Sequence, residues 1–330
     1  MPLEARPERP RPELLDEARA NLASRLGIDS ESSIWVVGER MERKRSTLFP
    51  LALASPMGDR LATAYYKVPY FPPEKQGSRN LERARLAVVR ARTFGDRFAA
   101  LGADTHIEIN VTLAADLDTL ETVTLGLEGP PMGSPLRLMV TAGRRSQALT
   151  ACRRVGEAVR IMEKMDLEDG DSSQEEDESS QRKLDSATSF LSVTEIESLE
   201  GVLDDLYRAA VAEDGTTLAH GDLSTGNIIL MEGRTGIIDF LWLDRIRGFD
   251  LSRFVHRLRH STTALRPWTE GLVGAALEGY GDASVTERPG WRFWELMHLL
   301  TTLRLLERRG RIEGRAARQA LAGLRTAIHE

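Results

Sequence analysis

His220-Gly221-Asp222-Leu223-Ser224-Thr225-Gly226-Asn227-Ile228-Ile229-Leu230, followed by Gly236-Ile237-Ile238-Asp239-Phe240, is the stretch on which the reading of this 330-residue chain turns. Asn227 to Leu230 and Thr235 to Phe240 are strand-like, and Met231-Glu232-Gly233-Arg234 between them makes the pair a predicted hairpin. The short loop from Asp222 to Asn227 is expected to place both side chains in one crevice, and the hairpin to return Asp239 beside Asn227. One carboxylate and one amide oxygen are hard donors of the kind that suits magnesium, and the other carboxylate can take a proton from an attacking hydroxyl. Any one of the three alone reads equally well as a turn residue. The joint order of loop, apolar strand, turn, apolar strand and aspartate is far more specific.

Working outward, the N-terminal part alternates strands with a single long helix. A first helix is expected over Glu13 to Leu26, then strands over Ser33 to Gly38 and Leu48 to Ala54, with a polar turn from Glu39 to Ser46 between them. Ala62 to Val68 is rich in strand formers and closes at Pro69, so Lys67 falls near a strand end. From Ser78, the apolar residues Leu81, Ala84, Val88, Ala91, Phe94 and Phe98 recur at helical spacing. Extended segments over Ile107 to Ala114 and Thr122 to Leu127 follow.

Glu128 to Pro135 concentrates turn formers and is the expected boundary between two lobes. Beyond it the pattern is mainly helical, with helices over Ser146 to Met165, Thr194 to Ala212 and most of Asp250 to Ile328. The acidic, serine-rich segment at about 166–183 cannot form a core and reads as a disordered insertion. The expected organisation is therefore an arm and helix over 1–29, a small lobe over 30–128 with an antiparallel sheet and one helix, and a larger helical lobe over 129–330. That is an α+β arrangement.

Composition narrows the function classes. With 41% hydrophobic and 28% charged residues the chain can bury a sizeable core. A formal charge of -6 gives no electrostatic reason to expect nucleic-acid binding. The single cysteine, Cys152, excludes an internal disulfide and a multi-cysteine zinc site. The arginine- and proline-rich N-terminus lacks the apolar core of a secretory signal, and no stretch approaches the roughly 18 apolar residues of a membrane span. A cytoplasmic protein without an integral membrane segment is expected.

The segment from His220 to Leu230 and the Gly236 to Phe240 run resemble the catalytic loop and metal-binding aspartate of aminoglycoside phosphotransferases and their choline-kinase-like relatives. This resemblance implies a bilobal, protein-kinase-like fold. It implies a magnesium-dependent phosphotransferase, or kinase, with an alcohol group as acceptor, moving the γ-phosphoryl group of ATP or GTP to a hydroxyl. Asp222 takes the place of the catalytic base, and Asn227 and Asp239 those of the magnesium ligands. His220 is implied to brace the loop, and Asp250, in Gly248-Phe249-Asp250-Leu251-Ser252, to support it from below. Asp250 reads equally as a helix N-cap. Gly226 is expected to let the backbone turn sharply into the strand.

On the nucleotide side the resemblance implies a phosphate-contacting lysine, which Lys67 fits by position, with Glu82 as its partner and Glu74 as a rival. Backbone groups around Leu127, Glu128 and Gly129 are implied to meet the base. The turn from Gly38 to Thr47 departs from many kinases in having no run of glycines. Ser46 and Thr47, with the basic residues before them, are the phosphate-contact candidates there, and a solvated charge run is the alternative.

Only the residues from Phe240 to Phe249 separate Asp239 from Asp250, too short for a peptide-docking activation loop, so a small-molecule or saccharide acceptor is favoured over a protein. Its expected contacts include Trp242, Asp244, Arg245 and Arg253, and the basic run through Arg259 suggests a neutral or anionic acceptor. Trp242 and Trp294 read either as sugar-stacking or as core residues. The alternative to an active kinase is a catalytically silent nucleotide- or partner-binding regulatory protein.

Overall fold

The computed structural model describes residues 8–43, 46–70, 78–102, 106–133, 144–165, 190–261, 266–311 and 313–329. The acidic segment at 166–183, Glu74, and Lys44 and Arg45 of the basic turn lie outside them. The chain forms two compact units, one of Met1–Pro130 with Met231–Leu241, the other of Pro131–Leu230 with Trp242–Glu330. Among the described residues no helix is long and apolar enough to cross a membrane.

The first unit begins with α1 (Pro12–Leu26), started by a proline in its first turn and ended by Gly27, whose φ of 66° is the left-handed cap that glycine adopts without strain. Then come β1 (Ile34–Val37), β2 (Met41–Glu42), β3 (Ser46–Ala54), β4 (Arg60–Pro69), α2 (Ser78–Gly102), β5 (Ile107–Ile109), β6 (Thr112–Ala115) and β7 (Thr122–Leu125). The main sheet runs β1-β3-β4-β7-β6, with β2 also paired to β3. All these pairings are antiparallel. In β3 the alternate residues Phe49, Leu51 and Leu53 are buried, the period of two expected of a strand with one core face. Tyr66 of β4 is also wholly buried, its hydroxyl donating to Glu121 and accepting from Arg11 N–H at 3.1 Å.

Two features here differ from the sequence expectation. Met41 and Glu42, assigned to a polar turn, form a strand, and Ser46 and Thr47 belong to β3 opposite it. A hairpin closed by Arg43 N–H donating to Ser46 C=O at 2.8 Å replaces the open turn. Pro50 sits inside β3 where its neighbour changes from β2 to β1, so the missing N–H falls in a gap of the ladder. Its carbonyl is used by Gly38 N–H at 2.7 Å.

The same unit contains β10 (Thr235–Ile237), which pairs parallel with β5 in the register Thr235 to Ile107 and Ile237 to Ile109. It is shorter than the predicted strand, because Ile238, Asp239 and Phe240 leave the extended conformation.

The second unit contains α3 (Arg144–Met162), α4 (Val193–Glu213), β8 (Thr216–Ala219), β9 (Ile228–Leu230) and β11 (Leu243–Ile246). It continues with α5 (Phe249–Ser261), α6 (Arg266–Tyr280), α7 (Pro289–Glu307) and α8 (Arg315–His329). The pair β8 and β11, antiparallel with Asp244 opposite Leu218, was not anticipated. The helical C-terminal part is interrupted at its prolines, each of which starts a new helix: Pro267 lies in the first turn of α6, and Pro289 is the first residue of α7.

Gly156 of α3 and Gly279 of α6 set the closest helix approach. A Cβ on Gly156 would lie 2.0 Å from Ala276 O, and one on Gly279 1.8 Å from Arg153 O. The helix α7 is apolar nearly all round and runs through the core. Its Phe293, Trp294, Leu300 and Leu303 join Leu199 and Leu203 of α4, Phe249 of α5 and Leu324 of α8.

Candidate active site

The segment from His220 begins where β8 ends. His220 is fully buried, and Gly221 has φ 87°, a left-handed value that only glycine adopts cheaply between two residues that must be held in place. Asp222 N–H donates to His220 Nδ1 at 3.2 Å, so that ring nitrogen carries no proton. The buried Asp250, in the first turn of α5, accepts from His220 N–H at 2.5 Å and from Gly221 N–H at 3.0 Å. Burial pushes the Asp250 carboxyl up to about 6, against the opposing pull of those two backbone bonds. Asp250 thus ties the loop to α5 through main-chain donors that would otherwise be buried and unpaired.

Further along, Thr225 to Asn227 form one 3-10 turn leading into β9. Asn227 Nδ2 donates to the Asp222 carbonyl at 3.0 Å, which closes the loop on itself and leaves the amide oxygen as the outward group. Met132 N–H and Gly133 N–H brace the same turn, donating to Ile228 C=O at 2.7 Å and Thr225 C=O at 3.1 Å. Gly226 does not carry the role given to it from sequence. It is exposed, and a Cβ there would meet only Ser224 Oγ at 3.7 Å. The glycine that the backbone requires is Gly221.

Within this frame the Asp222 side chain is half exposed and its Oδ1 accepts from Arg253 Nη2 on α5. Arg253 therefore bears on the candidate base itself, where the sequence placed it only among acceptor contacts. Arg245 donates to the Asp244 carbonyl at 2.7 Å and lies over the Phe249 ring at 5.7 Å. Asp244 is partly buried in β11. Trp242, at 2% exposure, and Trp294, whose Nε1 donates to Ile246 C=O at 3.0 Å, are core residues, so neither offers a face for sugar stacking.

In the other unit, Asp239 follows β10 with φ 63° and an exposed carboxylate. Its neighbours fix it: Ile237 is wholly buried, and the Phe240 ring packs on Phe98 of α2 at 6.2 Å between centroids. Lys67 Nζ, on β4, lies 3.7 Å from Asp239 Oδ1. Among the described residues Lys67 makes no ion pair with Glu82, which stands exposed on α2. Ser46 and Thr47 are buried in β3, and the Thr47 hydroxyl donates to the Glu42 carboxylate at 3.2 Å. Thr47 is thus committed to the sheet rather than to a phosphate. Leu127, Glu128 and Gly129 follow β7 in irregular backbone, with Glu128 paired to Arg60.

One supporting residue escaped the sequence reading. Glu163, just after α3, accepts from Gly248 N–H at 3.2 Å and from Tyr280 Oη–H at 2.6 Å, and lies 3.7 Å from Arg247 Nε. It pins the turn that delivers Asp250 to α5, and burial raises its pKa above the ordinary carboxylate value. Nothing in its local sequence signals this, because its partners lie 85 and 117 positions away.

Asn227 and Asp239 each carry an oxygen donor of the kind magnesium takes. Among the described residues no three His, Cys, Asp or Glu side chains cluster as a self-contained metal cage. Magnesium commonly takes one or two protein oxygens and completes its shell with water and phosphate. The outward Asn227 amide oxygen and the exposed Asp239 carboxylate are donors of that type.

The sequence profile described as the phosphotransferase enzyme family (APH) matches residues 81–296. Among solved structures, a choline/ethanolamine kinase family protein from Mesorhizobium loti is similar at TM-score 0.50 and 18% identity, covering 95% of this chain and 99% of that one. A protein from Thermobifida fusca YX-ER1 assigned as a fructosamine-3-kinase gives TM-score 0.52 and 18% identity, covering 94% and 99%. At these identities the likeness concerns the fold, which is the kinase-like one. No curated protein matches the chain. With the profile spanning well over half of its length and the loop from His220 to Asn227 built as described, the chain belongs to the phosphotransferase enzyme family.

Proposed function

We propose that the chain transfers the γ-phosphoryl group of ATP or GTP to a hydroxyl of a small molecule or saccharide, with magnesium as cofactor. The observation that carries this reading is the construction of the loop around Asp222. Its backbone is clamped by the buried Asp250, by His220 and by the Asn227 amide, while the Asp222 carboxylate is left half exposed. That is how a group is held for a reaction in which positioning supplies most of the rate.

In this reading Asp222 orients the acceptor hydroxyl and accepts its proton as the new oxygen–phosphorus bond forms and the bond to the departing nucleoside diphosphate breaks. Asn227 and Asp239 hold the magnesium, which when bound neutralises charge on the phosphate oxygens. Lys67, already beside Asp239, supplies a cation for the phosphates. His220 and Asp250 position the loop and do not touch reacting atoms. The unit carrying Lys67 is assigned to the nucleotide and the helical unit to the acceptor.

The test is nucleotide turnover and phosphoryl transfer across a panel of hydroxylated metabolites, comparing the wild type with Asp222→Ala. Loss of the base should lower transfer by at least about a hundredfold. Transfer by Asp222→Ala near the wild-type rate would remove Asp222 from this role. A wild type that binds nucleotide and transfers to no acceptor would favour a silent regulatory protein.

A further inference from the structure

The first turns of α5 reach Asp222 at two points. Asp250 accepts from the main chain just before it, at His220 N–H and Gly221 N–H. Arg253, three residues on and therefore on the same side of the helix, donates from Nη2 to Asp222 Oδ1. One helix thus holds both the backbone and the carboxylate of the candidate base.

That helix is itself fixed. Ser252 Oγ lies 3.2 Å from His298 Nε2, and His256 Nε2 lies 2.8 Å from Thr302 Oγ1, two contacts that tie α5 to α7. The Arg253 guanidinium rests over the Phe249 ring at 5.8 Å, a favourable place for a cation. Phe249 in turn packs edge-on against Trp294 of α7, with ring centroids 4.6 Å apart.

The contact is poorly explained as a device for stability. Among the described residues Asp222 is the one hydrogen-bond and ion-pair partner of Arg253, and the buried Arg253 Nε has none. An orphaned buried donor costs stability, and an ion pair to a half-exposed carboxylate returns little. What the pair does set is the direction of the carboxylate. Oδ1 is anchored, while Oδ2 makes no hydrogen bond among the described residues and is left to receive another group.

We propose that Arg253 is a positioning residue for phosphoryl transfer, anchoring Asp222 Oδ1 so that Oδ2 meets the acceptor hydroxyl. The hydroxyl proton passes to Oδ2 as the acceptor oxygen bonds to phosphorus, and the nucleoside diphosphate departs with the electrons of the broken bond. Arg253 stays protonated throughout and acts only through Asp222. The inference rests on the phosphoryl-transfer reading for the role of Asp222.

The test is a kinetic cycle on the full chain with ATP and magnesium, using the acceptor the wild type turns over, or water where only hydrolysis is seen. The proteins are the wild type, Arg253→Gln, Arg253→Lys, Asp222→Ala and the double variant Asp222→Ala with Arg253→Gln, all checked for folding by thermal melting. Arg253→Gln should lower kcat by about ten- to a hundredfold and leave both KM values within about threefold, because a carboxylate misplaced by about an ångström loses rate rather than binding. Arg253→Lys, which keeps the charge, should recover part of that loss, and it stays informative if the Gln variant melts early. Adding Arg253→Gln to Asp222→Ala should cost nothing further, since the residue it acts through is already gone.

An Arg253→Gln kcat close to the wild type, with Asp222→Ala inactive, would overturn the proposal and leave the reading of Asp222 intact. A raised acceptor KM at unchanged kcat, or a further loss on the Asp222→Ala background, would make Arg253 a direct contact of acceptor or nucleotide and would equally overturn it. Full activity of Asp222→Ala, or no turnover by the wild type, would instead sink the reading of Asp222, and the proposal with it.

Discussion

Asp250→Asn is the substitution for which the structure gives the most distinctive expected outcome. The carboxylate is 3% exposed and accepts two main-chain N–H groups, from His220 at 2.5 Å and Gly221 at 3.0 Å. An Asn of the same shape has one oxygen, so it satisfies one donor and turns its own NH2 toward the other. At low pH, where the wild-type group is the neutral acid with both oxygens still able to accept, turning an NH2 toward one buried donor costs about 1–3 kcal/mol.

The pH dependence of that cost has an unusual sign. Burial holds the folded Asp250 at about 6, above the roughly 3.9 of an unfolded Asp. The folded state therefore binds more protons than the unfolded one between these values. The stability this group contributes is full below about pH 4 and is lost as pH rises through about 6, by up to about 3 kcal/mol. Asn does not titrate. The cost of Asp250→Asn should thus be largest near pH 4 and shrink toward pH 7, opposite to the usual behaviour of a salt-bridged carboxylate. Urea unfolding of both proteins from pH 4 to 8 reads this directly. A cost that grows with pH, or one below about 0.5 kcal/mol throughout, would refute the reasoning.

Two further outcomes follow from packing. Gly156→Ala drives a methyl to within 2.0 Å of Ala276 O, so α3 and α6 must part, and urea unfolding should show a loss of about 2–3 kcal/mol or more; a variant as stable as the wild type would mean that the crossing is looser than described. Cys152 is wholly buried, and burial pushes its thiol pKa well up, so a thiol reagent at pH 8 should label it only at the rate of unfolding. Labelling of the native protein at the rate of an exposed thiol would contradict its placement.

What could be read in the sequence, and what could not, divides along physical lines. The extended apolar run of β3 and the helical stripe of α2 are local patterns, and both were legible, although which residues of β3 face the core was not. The polar residues Asp222, Asn227 and Asp239 sit on loops flanked by apolar strands, so their unusual spacing stood out.

By contrast, β8 and β11 are four residues each, Thr-Thr-Leu-Ala and Leu-Asp-Arg-Ile, with no alternation to mark them, and they pair across more than twenty positions. Met41-Glu42 is too short and polar to announce a strand, yet pairing with β3 recruits it and takes Thr47 out of the turn. A tryptophan beside charged residues gives no sign of which way it faces, and Trp242 faces inward. The approach of Lys67 to Asp239 was not legible for a similar reason. Asp239 meets it from the residues just after a strand more than 160 positions later, a contact fixed by β10 lying along β5 and by Phe240 packing on Phe98.

The most direct test of the central claim is a crystal structure of the full chain with magnesium and a non-hydrolysable ATP analogue. The account predicts the Asn227 amide oxygen and an Asp239 carboxylate oxygen at about 2.1 Å from the same ion, the distance magnesium demands of its ligands. It also predicts the Asp222 carboxylate facing the terminal phosphate with room for a hydroxyl between them. An ion bound without Asn227 and Asp239, or Asp222 turned away from the phosphate, would contradict it.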